Sequence, residues 1–394
     1  MTFKLISALL ALNLIFPKAF SAASEPSVQQ AQAKAVMNNV YGSFVKIIPY
    51  IYSSNEKIEI LKETSHKNEK DELVKNLNDL SNFFKSARHA DFFQKPGFRP
   101  SLDTINDHLE ETIISVSSNN FLFAQKRLNA ITSLCVSCHT QLSDSLSKNS
   151  FGAAINKEGR DKFESDFSYA NYLFLVRRFP ESKIYFEKAI ENSLNKDSVL
   201  SKNEINTSLR RMIAMHTKIK FNYKATQEIL AKYENDKRIP SLTKSTLKEW
   251  SQSLLAWKDF DINSVKSIKD FITQHLTPIE AKRDKVEVGE EDMTLLISSG
   301  VLSNFLADNS LTSQTPEILY WLSIAERRLS QTYFFSLADL YLKDCIKRYP
   351  ASPIAKKCYQ EYADNLEVGY SGSAGTVIPQ EEKTELLKLK ALLK

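Results

Sequence analysis

Glycine is scarce in this chain: 9 of 394 residues, against 23 phenylalanines and 15 tyrosines. β-Sandwiches and doubly wound sheets need glycine in their turns, so both are disfavoured and an all-α fold is expected. GxGxxG, GxxxxGK[ST], HExxH and GxSxG are all missing, which removes the common nucleotide, zinc-protease and nucleophile-elbow signatures. No carboxylate pair or nucleophile–base set stands out, so a non-enzymatic role is expected. Charge of one sign is lacking too: 52 Lys and Arg stand against 47 Asp and Glu, a net charge of +5. Lys4 and Lys18 belong to a leader described below, and without them the balance falls to +3. That is too little to argue for nucleic acid as a partner.

Long apolar runs are also absent. LISALLALNLIF (5–16) is short for a bilayer span, follows Lys4, and is broken by Pro17 and then AFSAAS. This layout is that of a secretory signal peptide over residues 1–23, with cleavage between Ser21 and Ser24, and no transmembrane segment is expected in the mature chain. A periplasmic location is the expectation.

Cysteine and histidine are rare, with 4 and 6 copies, yet residues 135–139 read CVSCH. A zinc site would need a second ligand pair, and no other CxxC or HxxxH is present. A redox dithiol would need a βαβ context, whereas the flanking pattern is helical. Covalent haem c needs these residue types at this spacing. Cys135 and Cys138 can form thioethers with two vinyl groups, and His139 can give a nitrogen to iron as proximal ligand. The stretch from Phe121 carries Ala124, Leu128, Ile131, Cys135, Cys138 and Leu142 at steps of three and four, one helical stripe expected to face a packed interior.

Three more helical stretches precede it, over 27–52, 55–88 and from Ser101 or Asp103 onward. Pro49 should kink the first near its end, and a polar break falls near residues 65–68 of the second. Four helices with short connections read as an up-down-up-down bundle over 24–150. A leader, four helices and one CxxCH late in the last helix resemble cytochrome c prime. The resemblance implies thioether attachment at Cys135 and Cys138 and proximal ligation by His139. It departs from that family where a Phe-Arg pair is replaced by Leu142-Ser143. The resemblance also directs attention to the first helix for the sixth iron position. Met37 lies on that helix's core stripe and either ligates iron or fills the core. His89 and His108 are rival ligands. Arg88, Lys95, Arg99 and Arg127 are candidates to meet haem propionates, with a solvated face as the alternative for each.

Residues 151–165 read as a linker, and the helical pattern then continues over 166–367. SYANYLFLVRRFPESKIYFEKAIE (168–191) resembles a tetratricopeptide unit, with its turn expected near Phe179-Pro180-Glu181. Weaker copies follow at 215–234 and 250–272, and a clearer one at 318–363. Spacing of roughly 40 residues marks degenerate repeats. Such an array is expected to stack and to offer a groove to a protein or peptide. The segment 277–292 reads as an exposed charged loop. The tail, 368–394, reads as a glycine stretch and a short amphipathic helix that docks on the last repeat. Cys345 and Cys358 lie six residues before Ala351 and six after Ser352, level in an antiparallel helix pair, so a disulfide is expected in an oxidising compartment.

The leading functional expectation is an exported cytochrome that carries one haem c and moves single electrons to a redox partner, with the repeats for docking. A five-coordinate haem protein that binds a diatomic gas and a repeat scaffold with an accessory haem domain are the alternatives.

Overall fold

A computed structural model describes residues 28–52, 58–141, 157–196, 198–281, 291–308, 312–330, 333, 336–373 and 375–393. The leader, Leu142-Ser143 and the first part of the expected linker lie outside them. Among the described residues the fold is all-α, and its strands are one two-residue pair, Ser371–Gly372 with Gly375–Thr376.

The first four long helices are α1 (Val28–Ile51), α2 (Lys67–Ala87), α3 (Arg99–Ser117) and α4 (Phe121–His139). Two short 3₁₀ turns, Ile60–Lys62 and Thr64–His66, precede α2, so the polar break is where that helix begins. Pro100 opens α3 in place of the expected cap: Ser101 lies within the first turn and is fully buried. Each helix packs on its chain neighbour, and α1 also touches α4. Ile47, Leu77, Leu109 and Leu134, one from each helix, are sealed from solvent. Each such side chain contributes about 1.5–3 kcal/mol through burial.

Beyond residue 157 the helices come largely as antiparallel neighbours. The first hairpin is α5 (Asp166–Leu175) and α6 (Phe179–Leu194). Its turn lies at Val176–Arg178, ahead of the expected Phe179-Pro180-Glu181. Pro180 falls in the first turn of α6, where a missing N–H costs no helical bond. Next come α7 (Val199–Ala214), a π-helical turn (Met215–Ile219), α8 (Tyr223–Glu234) and α9 (Ser241–Leu255). Then follow α10 (Ile268–His275), α11 (Thr277–Glu280), α12 (Asp292–Asp308) and α13 (Thr315–Ser330). Of the stretch read as an exposed loop, residues 277–280 are helical with Ile279 buried, and 282–290 lie outside the described residues.

The last elements are α14 (Ala338–Arg348), α15 (Pro353–Gly369) and α16 (Gln380–Leu392). The tail helix α16 docks on α14 and α15 through a fully buried Leu389. Tyr362 donates to Glu382 (2.9 Å) at the same contact.

The array returns to the bundle at two places. α5 packs on α4, and α14 packs on α3. At the second contact Lys95 donates to the Ala307 carbonyl (2.8 Å), and the Gly97 amide donates to Asp344 (2.8 Å). Gly97 has φ +84°, and a Cβ there would meet the Tyr341 ring at 2.9 Å, so both backbone and space call for glycine. The array expected to await an outside partner thus has its first hairpin and α14 against the chain's own bundle.

Candidate functional site

The motif occupies the last turn of α4. Leu134, Val136 and Ser137 are buried, while Cys135, Cys138 and His139 are each partly open to solvent. Ala124, Leu128 and Ile131 form the buried part of the expected stripe, which loses cover as it reaches the cysteines. Cys135 and Cys138 are not joined to each other. Desolvation pushes the Cys135 thiol up to about 12, with Cys138 adding to it, and pushes Cys138 up to about 11. Redox-active CxxC pairs work through a lowered thiol pKa, and these two are shifted the other way. Cys138 also hydrogen-bonds with the Ser101 side chain, the buried hydroxyl of α3.

His139 is held from outside the bundle. Its Nδ1 lies 2.6 Å from the Leu175 carbonyl at the end of α5. A carbonyl can only accept, so Nδ1 carries the proton and Nε2 keeps its lone pair. Desolvation, then the Arg177 charge, pulls the imidazole down to about 4, which leaves it neutral at ordinary pH. Arg177 Nη1 donates to the His139 main-chain carbonyl. The hairpin that brings Leu175 and Arg177 here is pinned to α1 by aromatic contacts. Tyr41 and Tyr172 share a hydroxyl hydrogen bond (2.8 Å), and Phe163 stacks between Tyr52 (5.8 Å) and Tyr172 (5.0 Å). Phe163 lies in the stretch read as a linker, and it is an anchor.

A second set of groups closes in from the far helices. The Tyr341 hydroxyl and the Gln141 Nε2 are buried without hydrogen-bond partners, and both neighbour Gly97. Glu326 raises both Cys138 and Tyr341 by its charge, although desolvation is the larger cause for each. Glu326 is itself bound to Lys218 of the π-helical turn at 2.6 Å, both side chains within 2% of full burial. Single π turns commonly mark functional positions.

Met37 sits half-buried against the bundle core. Gln125 near the start of α4 donates to the Tyr50 carbonyl near the end of α1 (3.4 Å). His108 hydrogen-bonds with Arg127 (3.3 Å), twelve residues or about 18 Å along α4 from His139. His89 is exposed past the end of α2.

The arginines and lysine expected to meet propionates are engaged elsewhere. Arg88 pairs with Asp103 (2.8 Å), Arg127 with Glu111 (2.6 Å), and Lys95 with Ala307; the Arg99 side chain is outside the described residues. The cation that contacts the motif is Arg177, and Arg211 lies over the hairpin that carries it. Arg211 is drawn down to about 10 by desolvation and lies over the Phe174 ring at 5.3 Å. The only sequence signal for them was charge placed inside an apolar run, as in YLFLVRRF.

Among the described residues no group of three or more His, Cys, Asp or Glu side chains could hold a metal ion by itself. The donor set at the motif is two unjoined thiols, a histidine whose Nε2 keeps its lone pair, and buried donors without partners alongside, residue types that suit covalent haem attachment. Cys345 and Cys358 are far from this chemistry, joined as a disulfide across the α14–α15 turn. No family profile, curated protein or solved structure matches the chain.

Proposed function

We propose that this chain is an exported, periplasmic c-type cytochrome that transfers single electrons. Its haem would be held by thioethers at Cys135 and Cys138, with His139 and Met37 as the residues that would ligate its iron. The observation that carries this reading is the His139 Nδ1 hydrogen bond to Leu175, which fixes the tautomer that leaves Nε2 free beside two unjoined thiols. When bound, the haem supplies a one-electron couple whose potential depends on the axial ligands and on burial.

The chain's own residues do the rest. Cys135 and Cys138 would hold the ring at the last turn of α4 through their sulfurs. Leu175 accepts the Nδ1 proton and makes Nε2 a better donor to metal. Buried Phe163 and Tyr172, with half-buried Tyr52, exclude water from one side. The four helices of residues 24–150 act as a cytochrome c prime-like bundle. The tetratricopeptide-like array closes over its end, and its outer helices are left to meet a redox partner.

Optical spectra test this on protein matured with haem-c machinery, taken oxidised, reduced and reduced with CO. The expected result is one covalent haem, a low-spin spectrum indifferent to CO, and conversion to high spin in Met37→Ala. A high-spin spectrum that shifts with CO would replace electron transfer by gas binding. Absence of covalent haem would overturn the proposal.

A further inference from the structure

We propose that Arg177 is a positioning residue for His139 and that its fixed positive charge holds up the iron's reduction potential; this rests on the haem reading above. The observations of one short turn converge on it. Arg177 is 8% exposed and has φ +60°, a backbone state that side chains other than glycine and asparagine rarely adopt. Such states persist where the surroundings over-determine them, often at functional positions.

The surroundings here are specific. The Arg177 amide donates to the Phe174 carbonyl (3.0 Å), and the guanidinium lies over the Phe179 ring (5.2 Å). The same guanidinium donates to the His139 carbonyl, one of the last carbonyls of α4, which lack partners within the helix. A cation at a helix C-terminus is also favoured by the helix dipole. Two residues earlier, the Leu175 carbonyl accepts a hydrogen bond from Nδ1 of the same histidine. One short turn therefore grips His139 by backbone and by ring.

The grip comes from outside the bundle, so the bundle alone does not complete the site. A guanidinium stays protonated, and burial leaves it weakly screened. Loss of an electron from the iron adds positive charge close to it. Arg177 must therefore favour the reduced form.

The test uses the full-length, haem-loaded protein with Arg177→Asn and Arg177→Lys. Asparagine tolerates the left-handed backbone and removes the charge; lysine keeps the charge. Haem per chain and midpoint potential are measured for each by spectroelectrochemical titration. Haem content should not change. The one-electron reduction constant should fall about tenfold in Arg177→Asn, a drop of about 59 mV, and stay near the parent value in Arg177→Lys. An unmoved potential in haem-loaded Arg177→Asn would overturn the proposal and leave the haem assignment intact. An equal fall in Arg177→Lys would also overturn it, because charge would then not be the cause. A parent protein without covalent haem would remove both together. If Arg177→Asn does not fold, Arg177→Gly relieves the backbone and carries the same readout.

Discussion

The two cysteine pairs of this chain sit in opposite settings. Cys135 and Cys138 are one turn apart on a single helix, unjoined, with thiols pushed far above the usual range by desolvation. Cys345 and Cys358 are thirteen residues apart on two antiparallel helices, Cα atoms 6.5 Å apart, and joined. The latter distance is within the normal span of a disulfide. A pair presented by one helix face remains available to a third group; a pair matched across a hairpin closes on itself. Two histidines differ in the same way. His139 has its Nδ1 engaged, while neither ring nitrogen of His216, in the π-helical turn, has a partner.

The largest effect expected from breaking this comparison comes at the motif. Cys135→Ala with Cys138→Ala should abolish haem staining on a denaturing gel, whereas Cys345→Ser with Cys358→Ser should leave it unchanged. Haem retained by the first variant would contradict the assignment of the thiols.

The next effect is on stability and has the reverse pattern. Opening the Cys345–Cys358 loop should cost about 2–3 kcal/mol in urea unfolding, from the entropy returned to the unfolded chain. Equal midpoints for the parent protein and the Cys345→Ser/Cys358→Ser variant would show that the disulfide does not restrain the fold.

The smallest concerns His216, which desolvation first, then Lys220 and Lys183, lowers from 6.5 to about 4. Between those values the unfolded chain binds a proton that the folded chain refuses. Stability should therefore fall as pH drops from about 6.5 towards about 4. His216→Phe should flatten that part of the stability curve; an unchanged slope would assign the loss to other groups.

Much of this was legible along the chain. Periodicity located all four bundle helices, and the polar break at residues 65–68 is where α2 starts. The CVSCH spacing named the three motif residues, and the symmetry about Ala351-Ser352 paired the other two cysteines. Local turns were less legible. Phe179-Pro180 looked like a turn and is the opening of α6, because proline suits a first helical turn as well as a loop. Ser101 looked like a cap and instead meets Cys138 from inside its helix. Of the propionate candidates, Arg88 and Arg127 pair with carboxylates of α3 and Lys95 bonds to Ala307.

The sequence by itself determined an all-α fold for the described residues and the two thiols and histidine on one face of α4. These follow from helical periodicity along single helices. Only the tertiary structure decided what surrounds His139. Leu175 and Arg177 lie 36 and 38 residues further along, and Tyr341 comes from a helix near the other end of the chain. Contacts at such separations depend on how helices stack rather than on any local repeat. The proton on Nδ1 and the charge beside His139 are therefore properties of the packing.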